Sequence, residues 1–498
     1  MPNEDHAMTD SQPTVGLLPL YVALYDELLP ELRHDFADFL EDIAAGFEAR
    51  GHAVHRAPIC CVAGEFARAI QQFEDEGVDL IVTLHLSYSP SLEAADALCE
   101  TSLPILMLDT SMDAAFGVDV SADRIMYNHG VHGVMDLASV LRRRGRAYDI
   151  VAGHYQDLPV RLGTCVTREV PPQPAAGPKG GDARAVVAAR ALRSTRALRV
   201  GPVFPGMGDF MVDEAVLETA LGITVTQIDL NVLDEAVGAV SDNAVATELS
   251  SDHGNYDCAL SVESHERATR VGLGLRHLLE DGKFTAFSVN FQAFDRADRP
   301  ACTMPFLEIS KAMGRGVGYA GEGDVLTAAL VGALAQAFDA VTFTEIFCAD
   351  WTGGSLFLSH MGEISPSVAG DTPRVFEKPM PFIGGHAPAV LTCAMKPGPA
   401  VLVNLAPGPN DRFSLIVAPV EVLSEDATLD PAMRDVIRGW VRPACAEREG
   451  DRRGVSDFLE AFSRAGGTHH SALVLGDQLE ALQAFGHMCG CEVVTIAS

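Results

Sequence analysis

The sequence predicts an α/β protein, with two Rossmann-like parallel-sheet domains followed by a β-rich C-terminal domain. Three observations carry this reading. Short apolar runs alternate with stretches of helical spacing through most of the chain. One Pro- and Gly-rich stretch interrupts that alternation. From about Ala328 the texture changes to extended apolar runs joined by turn residues.

The elements follow in chain order. Thr14–Leu24 is apolar and strand-like, and Phe36–Arg50 sets Phe36, Phe39, Leu40, Ile43 and Phe47 on one side of a helix. Val78–Leu84 (VDLIVTL) and Pro104–Leu108 (PILML) are compact apolar runs of the kind buried in parallel strands. Strands alternating with helices imply a parallel sheet covered on both faces. Val170–Asp182 (VPPQPAAGPKGGD) is the best linker candidate. Strand runs resume at Leu198–Val203, Ile223–Ile228 and Phe284–Val289. Later, Pro399–Leu405 and Arg412–Val417 flank Gly408-Pro409-Asn410-Asp411, two strands and a turn. A chain of 498 residues is too long for one typical core. The expected division is 1–175, 176–330 and 331–498.

Composition excludes some partners. Apolar residues make up 48% and charged residues 21%, ordinary for a globular protein. Asp and Glu outnumber Lys and Arg by 68 to 36, a formal charge of -32 that repels phosphate backbones and anionic membranes. Nucleic-acid and membrane partners are therefore not expected. The eleven cysteines include adjacent Cys60 and Cys61 and a C-x-C at Cys489 and Cys491, but no paired C-x-x-C ribbon. They fit reduced thiols in a cytoplasmic protein. Met1–Pro13 has no basic stretch followed by an apolar one, so no secretory leader is expected, and no apolar run is long enough to span a membrane.

Three segments stand apart chemically. In Gly321-Glu322-Gly323-Asp324 a carboxylate flanked by glycines precedes the helical pattern Val325–Phe338. Glycines let backbone approach a ligand closely, although an acidic residue there is ordinarily a helix cap. In Phe343-Thr344-Glu345-Ile346-Phe347 a carboxylate sits in an apolar run, costly to bury unless paired or bound to a cation. His360 follows in similarly apolar company, ordinarily the mark of a hydrogen-bonded core histidine. In Gly466-Gly467-Thr468-His469-His470, neighbouring side chains on an extended segment point opposite ways, so one imidazole is expected as a direct ligand. Two Glu with one or two His form an O/N donor set without thiolate, suited to Mn²⁺ or a related divalent ion. Such a site polarises a carbonyl while a carboxylate moves a proton.

Together these blocks resemble the L-arabinose isomerase family. Gly316–Asp324 followed by Thr327–Leu330 is similar to that family's Y-G-F-(G/A)-G-E-G-D…T-A-A-L, Phe343–Glu345 to its F-M-E, Leu358–Ser367 to G-S-H-M-L-E-V-C-P-S, and Ala465–His470 to A-G-G-A-H-H. Order and spacing agree, and weaker similarity extends the likeness from about residue 80 to 490. The resemblance implies an aldose–ketose isomerase acting on a free sugar, with Glu322, Glu345, His360 and His470 as ligands of Mn²⁺ (or Co²⁺ or Mg²⁺). It makes Glu322 and Glu345 the acid/base pair, working through an enediol. Phe291, Met207, His132 and His469 fall at substrate-side positions. A closed homo-oligomer, a hexamer, is implied as well, with His132 contributed across a subunit contact.

The chain departs from the family where sugar is expected to lie. The family's G-S-Q-H-L-Y-G, with its sugar-facing Gln and Leu, is replaced by Gly16-Leu17-Leu18-Pro19-Leu20-Tyr21. Its F-E-D becomes Phe291-Gln292-Ala293, and its T-V-F-S becomes Ser471-Ala472-Leu473-Val474. L-Arabinose is therefore expected to be a poor substrate unless Gln292 or His85 replaces the lost contact. Two rival readings are a sugar-binding regulator that kept the fold and a metal-dependent sugar epimerase. A sensor, however, needs no acid/base pair.

Overall fold

The structure is a computed structural model describing residues 12–158, 182–425, 427–444 and 452–497. Residues 170–181 of the expected linker, and the boundary at 175/176, lie outside the described residues.

Strands β1 (Val15–Leu20), β2 (Val54–Arg56), β3 (Leu80–His85), β4 (Ile105–Asp109) and β5 (Asp149–Ala152) form an all-parallel sheet in the order β2-β1-β3-β4-β5. Every residue of β1 is buried, as its unbroken apolar sequence demands of a strand covered on both faces. The predicted helix at Phe36–Arg50 runs Ala37–Glu48 and buries Phe39, Ile43 and Phe47.

A second parallel sheet comes from β6 (Arg196–Val200), β7 (Thr224–Ile228), β9 (Ala286–Val289) and β10 (Gly318–Gly321), in the order β10-β9-β6-β7. Between them in sequence, β8 (Asp257–Ala259) leaves this sheet for a small three-stranded one. Residue 330 lies inside the helix Val325–Ala335, so the change of architecture falls after that helix.

The last third is antiparallel. It comprises β11 (Val341–Asp350), β12 (Ser355–Ser359), β13 (Arg374–Glu377), β14 (Ala389–Thr392), β15 (Gly398–Pro407), β16 (Phe413–Val422), β17 (Gly439–Pro443), β18 (His470–Leu475) and β19 (Glu492–Thr495). Pairing runs β15-β18-β11-β12-β17-β16, and β16 returns to β15, closing a barrel. Closure leaves no free edge among those strands. β19 adds to β16 in parallel, while β13 bridges β8 and β14. The β15–β16 hairpin is the one expected, with Asn410 and Asp411 at φ 58° and 57° in its turn.

The helix Val131–Arg143 is wedged between the first sheet and the barrel, which is why Val131–Leu141 are all buried despite polar members. No helix among the described residues is long and apolar enough to cross a membrane. The nine described cysteines are all free thiols.

Candidate active site

Glu322 leaves the C-terminal end of β10, the edge where parallel sheets bind ligands. Its backbone is left-handed, φ 64°, and Gly323 follows at 92°. A non-glycine residue held there stores strain of about 1–3 kcal/mol, and surrounding bonds fix it. The Glu322 amide donates to Val289 O at 3.1 Å, and its carbonyl accepts from Phe204 N at 2.8 Å. The Gly323 amide donates to Ser288 Oγ at 2.9 Å. A Cβ at Gly321 would lie 3.0 Å from His360 Cε1, so glycine there lets that imidazole approach.

Barrel register supplies the other groups. Glu345 on β11 lies opposite His470 on β18 and opposite Ser359 on β12, the residue before His360. His470 Nε2 is 2.8 Å from Glu345 Oε1 and 3.3 Å from Glu322 Oε2. His360 Nε2 is 3.5 Å from Glu345 Oε1, and His132 Nε2, from the wedged helix, is 3.6 Å from Glu345 Oε2. His469 Nε2 stands 3.9 Å from both carboxylates. The expectation that His469 and His470 point apart is thus corrected. The chain bends at His469 before β18 begins, so strand alternation does not apply, and the two rings face one site with centroids 4.3 Å apart.

Each of three imidazoles is turned toward the site by a carboxylate behind it. His470 Nδ1 lies 2.9 Å from Asp324 Oδ2, His469 Nδ1 2.7 Å from Asp209 Oδ2, and His360 Nδ1 2.7 Å from Glu363 Oε1. Carboxylate behind imidazole is the arrangement that orients metal-binding histidines. Asp324 serves twice, since its Oδ1 accepts from Thr327 N at 2.8 Å and caps the helix Val325–Ala335. Asp209 is itself anchored, as its amide donates to Asp136 Oδ1 at 2.9 Å.

These contacts set the charges. Burial would raise the Glu322 carboxyl, but the His469 and His470 imidazoles outweigh it and hold it at about 2. Glu345 is likewise held well below the usual range, against burial, chiefly by the charged His360, with hydrogen bonds from His360 and His470. Burial would lower His360, yet Glu363 and Glu345 lift it to about 10. His469 reaches about 10 through Asp209 in the same way. His132 has no such support, and burial drives it down to about 3, a neutral ring.

Do these residues fit a cation? Glu322 Oε2 and the Nε2 atoms of His132 and His469 are buried without a close hydrogen-bond partner. One ligand atom from each of Glu322, Glu345, His469 and His470 falls within 4.8 Å of the others. Converging orphaned donors, with carboxylates among them and no thiolate, fit a divalent ion of the Mn²⁺, Co²⁺ or Mg²⁺ kind. His469 belongs to this tight group, whereas His360 borders it through Glu345.

The cluster forms one end of a cavity of about 150 Å³. Phe291, Met207, His132 and His469, the expected substrate-side residues, all line it. His132 reaches the site of its own chain, from a helix packed between the first sheet and the barrel. The apolar part of the lining, the outer wall, includes Val22, Leu24, Ile125, Met126, Met361 and Phe382. Tyr25 also lines the cavity, but its hydroxyl is engaged with His129 Nε2 at 3.1 Å. Phe347, the extra residue of a bulge in β11, faces the cavity beside Glu345. Neither Gln292 nor His85 reaches the wall. His85 is buried with both ring nitrogens unpartnered.

Sequence reasoning missed Asp209, Asp136, Tyr88 and Phe382. No local spacing marks them, because Asp209 meets His469 across 260 residues. Glu363 had a signal, standing three residues after His360 within a recognised block.

Family models of the L-arabinose isomerase central and C-terminal domains match residues 211–338 and 340–492. An L-arabinose isomerase of Nocardioides sp. is 29% identical over 490 residues, covering 94% of this chain and 91% of that protein. One from Klebsiella pneumoniae is 26% identical over 439 residues, 85% and 82% of the two chains. One from Geobacillus kaustophilus is 28% identical over 431 residues, 84% and 80%.

Proposed function

This chain belongs to the L-arabinose isomerase family, and on that premise we propose that it is an aldose–ketose isomerase acting on a free sugar. The single observation that carries the reading is the convergence of Glu322 and Glu345 with three carboxylate-backed imidazoles at one end of an apolar cavity.

Glu322, Glu345, His360 and His470 would hold one divalent ion, Mn²⁺ or else Co²⁺ or Mg²⁺, with His469 beside them. Such an ion supplies Lewis acidity that polarises the sugar carbonyl. Both carboxylates are kept ionised, so either can accept a proton. One Glu takes the proton from C2 of the open-chain aldose, the C2–H electron pair forms the C1=C2 bond, and the C1=O pair moves onto O1, which takes up the C2 hydroxyl proton passed on by the other Glu, giving the enediol(ate). The first Glu, now protonated, returns its proton to C1 as the C1=C2 pair closes on it, and the pair on O2 forms the ketose carbonyl. Neutral His132, 3.6 Å from Glu345, offers a hydrogen bond to a sugar oxygen. Phe291 and Met207 pack against the carbon chain.

The outer wall narrows the substrate. Most of its side chains are aliphatic, thioether or phenyl, and its polar members Tyr25 and His129 are paired with each other at 3.1 Å; an unmatched buried hydroxyl costs about 1–3 kcal/mol. L-Arabinose is therefore expected to be a poor substrate, and an aldose with a deoxy or otherwise altered end a better one. The working form is a cytoplasmic homo-oligomer, a hexamer by family likeness.

The test is turnover with a ketose-specific readout, using Mn²⁺ and a panel of aldoses. Activity should vanish in chelator and return with Mn²⁺. Ketose formation by exhaustively stripped protein, or from no aldose at all, overturns the proposal.

A further inference from the structure

We propose that His253, Cys258 and His265 form a second metal site, separate from the cavity and selective for a softer ion of the Zn²⁺ class. His253 closes the helix Asp242–Asn255, Cys258 lies on β8, and His265 is in the first turns of the helix Val262–Asp281. One ligand atom from each falls within 4.8 Å of the other two. The two rings stand 5.3 Å apart.

Both imidazoles are anchored from behind. His253 Nδ1 is bonded to Leu249 O at 2.8 Å, and His265 Nε2 to Asp252 Oδ2 at 3.0 Å. That leaves Nε2 of His253 and Nδ1 of His265 as the nitrogens available to an ion, in the backed arrangement typical of metal-binding histidines. Asp252 is fixed in turn by Lys311 Nζ at 2.6 Å, so it steadies His265 and does not compete for the ion.

The donor set differs in kind from that of the cavity. One thiolate with two imidazoles suits Zn²⁺, three protein ligands leaving a fourth position for water. Burial, with Asp252 and Asp257 nearby, keeps the Cys258 thiol protonated, at about 11. An arriving ion displaces that proton to solvent. The site ties two helices to β8. β8 pairs with β13, and β13 with β14. The segment 378–388 joining β13 to β14 carries Phe382 to the cavity wall.

The experiment uses the full chain stripped of metal and titrated with Co²⁺, whose bonds to thiolate give a near-ultraviolet charge-transfer band that an O/N site cannot produce. The band should appear, survive in Glu345→Gln, disappear in Cys258→Ser, and be bleached by Zn²⁺. His253→Ala should weaken Co²⁺ binding at least about tenfold, and Mn²⁺-supported turnover of Cys258→Ser should stay within about twofold. Absence of the band in the native chain, or its full persistence in Cys258→Ser, overturns the proposal. Should that variant fail to fold, alkylation of native protein decides. Zn²⁺ must slow labelling of Cys258 at least about tenfold, and equal labelling with and without Zn²⁺ contradicts the site.

Discussion

The polar and apolar parts of the cavity lining, the inner and outer walls, are built by opposite rules. In the inner wall three imidazoles each have one nitrogen toward the site and the other against a carboxylate behind it. Glu345 faces His470, and Asp324 holds His470 while capping a helix. In the outer wall, Val22, Leu24, Ile125, Met126 and Phe382 sit outside the regular strands, on helices and connecting segments. Changing an inner residue disturbs several partners at once. Changing an outer residue disturbs only packing.

The largest effect should come from the inner wall. Glu322→Gln and Glu345→Gln are each expected to abolish turnover, measured as ketose formed under saturating Mn²⁺, with the fold intact by circular dichroism. A variant keeping more than about a tenth of the activity, a loss under about 1.4 kcal/mol in barrier, would remove that residue from the chemistry.

Next come the groups behind the imidazoles. Asp324→Asn keeps a helix cap, since Asn caps as well as Asp, but sets an amide against His470 Nδ1. Mn²⁺ affinity by calorimetry should fall about 10- to 100-fold, with little change in melting temperature. An unchanged affinity would show that Asp324 only caps.

Smaller again is the outer wall. Met126→Gln should raise kcat/KM for a fully hydroxylated aldose relative to a deoxy one by about tenfold, leaving Mn²⁺ affinity alone. A matching loss of Mn²⁺ binding would mean that the two walls are not independent.

The smallest effect concerns pH. In metal-free protein the His360 and His469 imidazoles are raised to about 10 by their carboxylates. Raised imidazoles stabilise the fold fully below about pH 6.5, and that stability is lost as pH rises toward 10. Melting temperature without metal should decline over that range, and bound Mn²⁺, which requires neutral rings, should flatten the decline. A metal-free melt that is level from pH 6.5 to 10 would contradict the charge assignment.

The inner wall was legible because its residues lie in short, distinctive blocks. Gly321–Asp324 offered a carboxylate between glycines, and the backbone at Glu322 is left-handed, φ 64°. Strands such as β3 and β15 were legible from unbroken apolar runs. The side on which His469 points was not, because a bend before β18 overrode strand alternation. Nor was Asp209 behind it, since only the fold brings residues 209 and 469 together. The placing of His132 beside its own chain's Glu345 depends on one helix wedged between two sheets, a packing fact with no local signature.

The most direct test of the division between the two walls is kcat/KM of the Mn²⁺-loaded native enzyme for L-arabinose, D-galactose, L-fucose and further aldoses. Ketose should form, with L-arabinose at least about tenfold below the best substrate, about 1.4 kcal/mol of discrimination. Formation of no ketose, or L-arabinose leading the panel by tenfold, would contradict it.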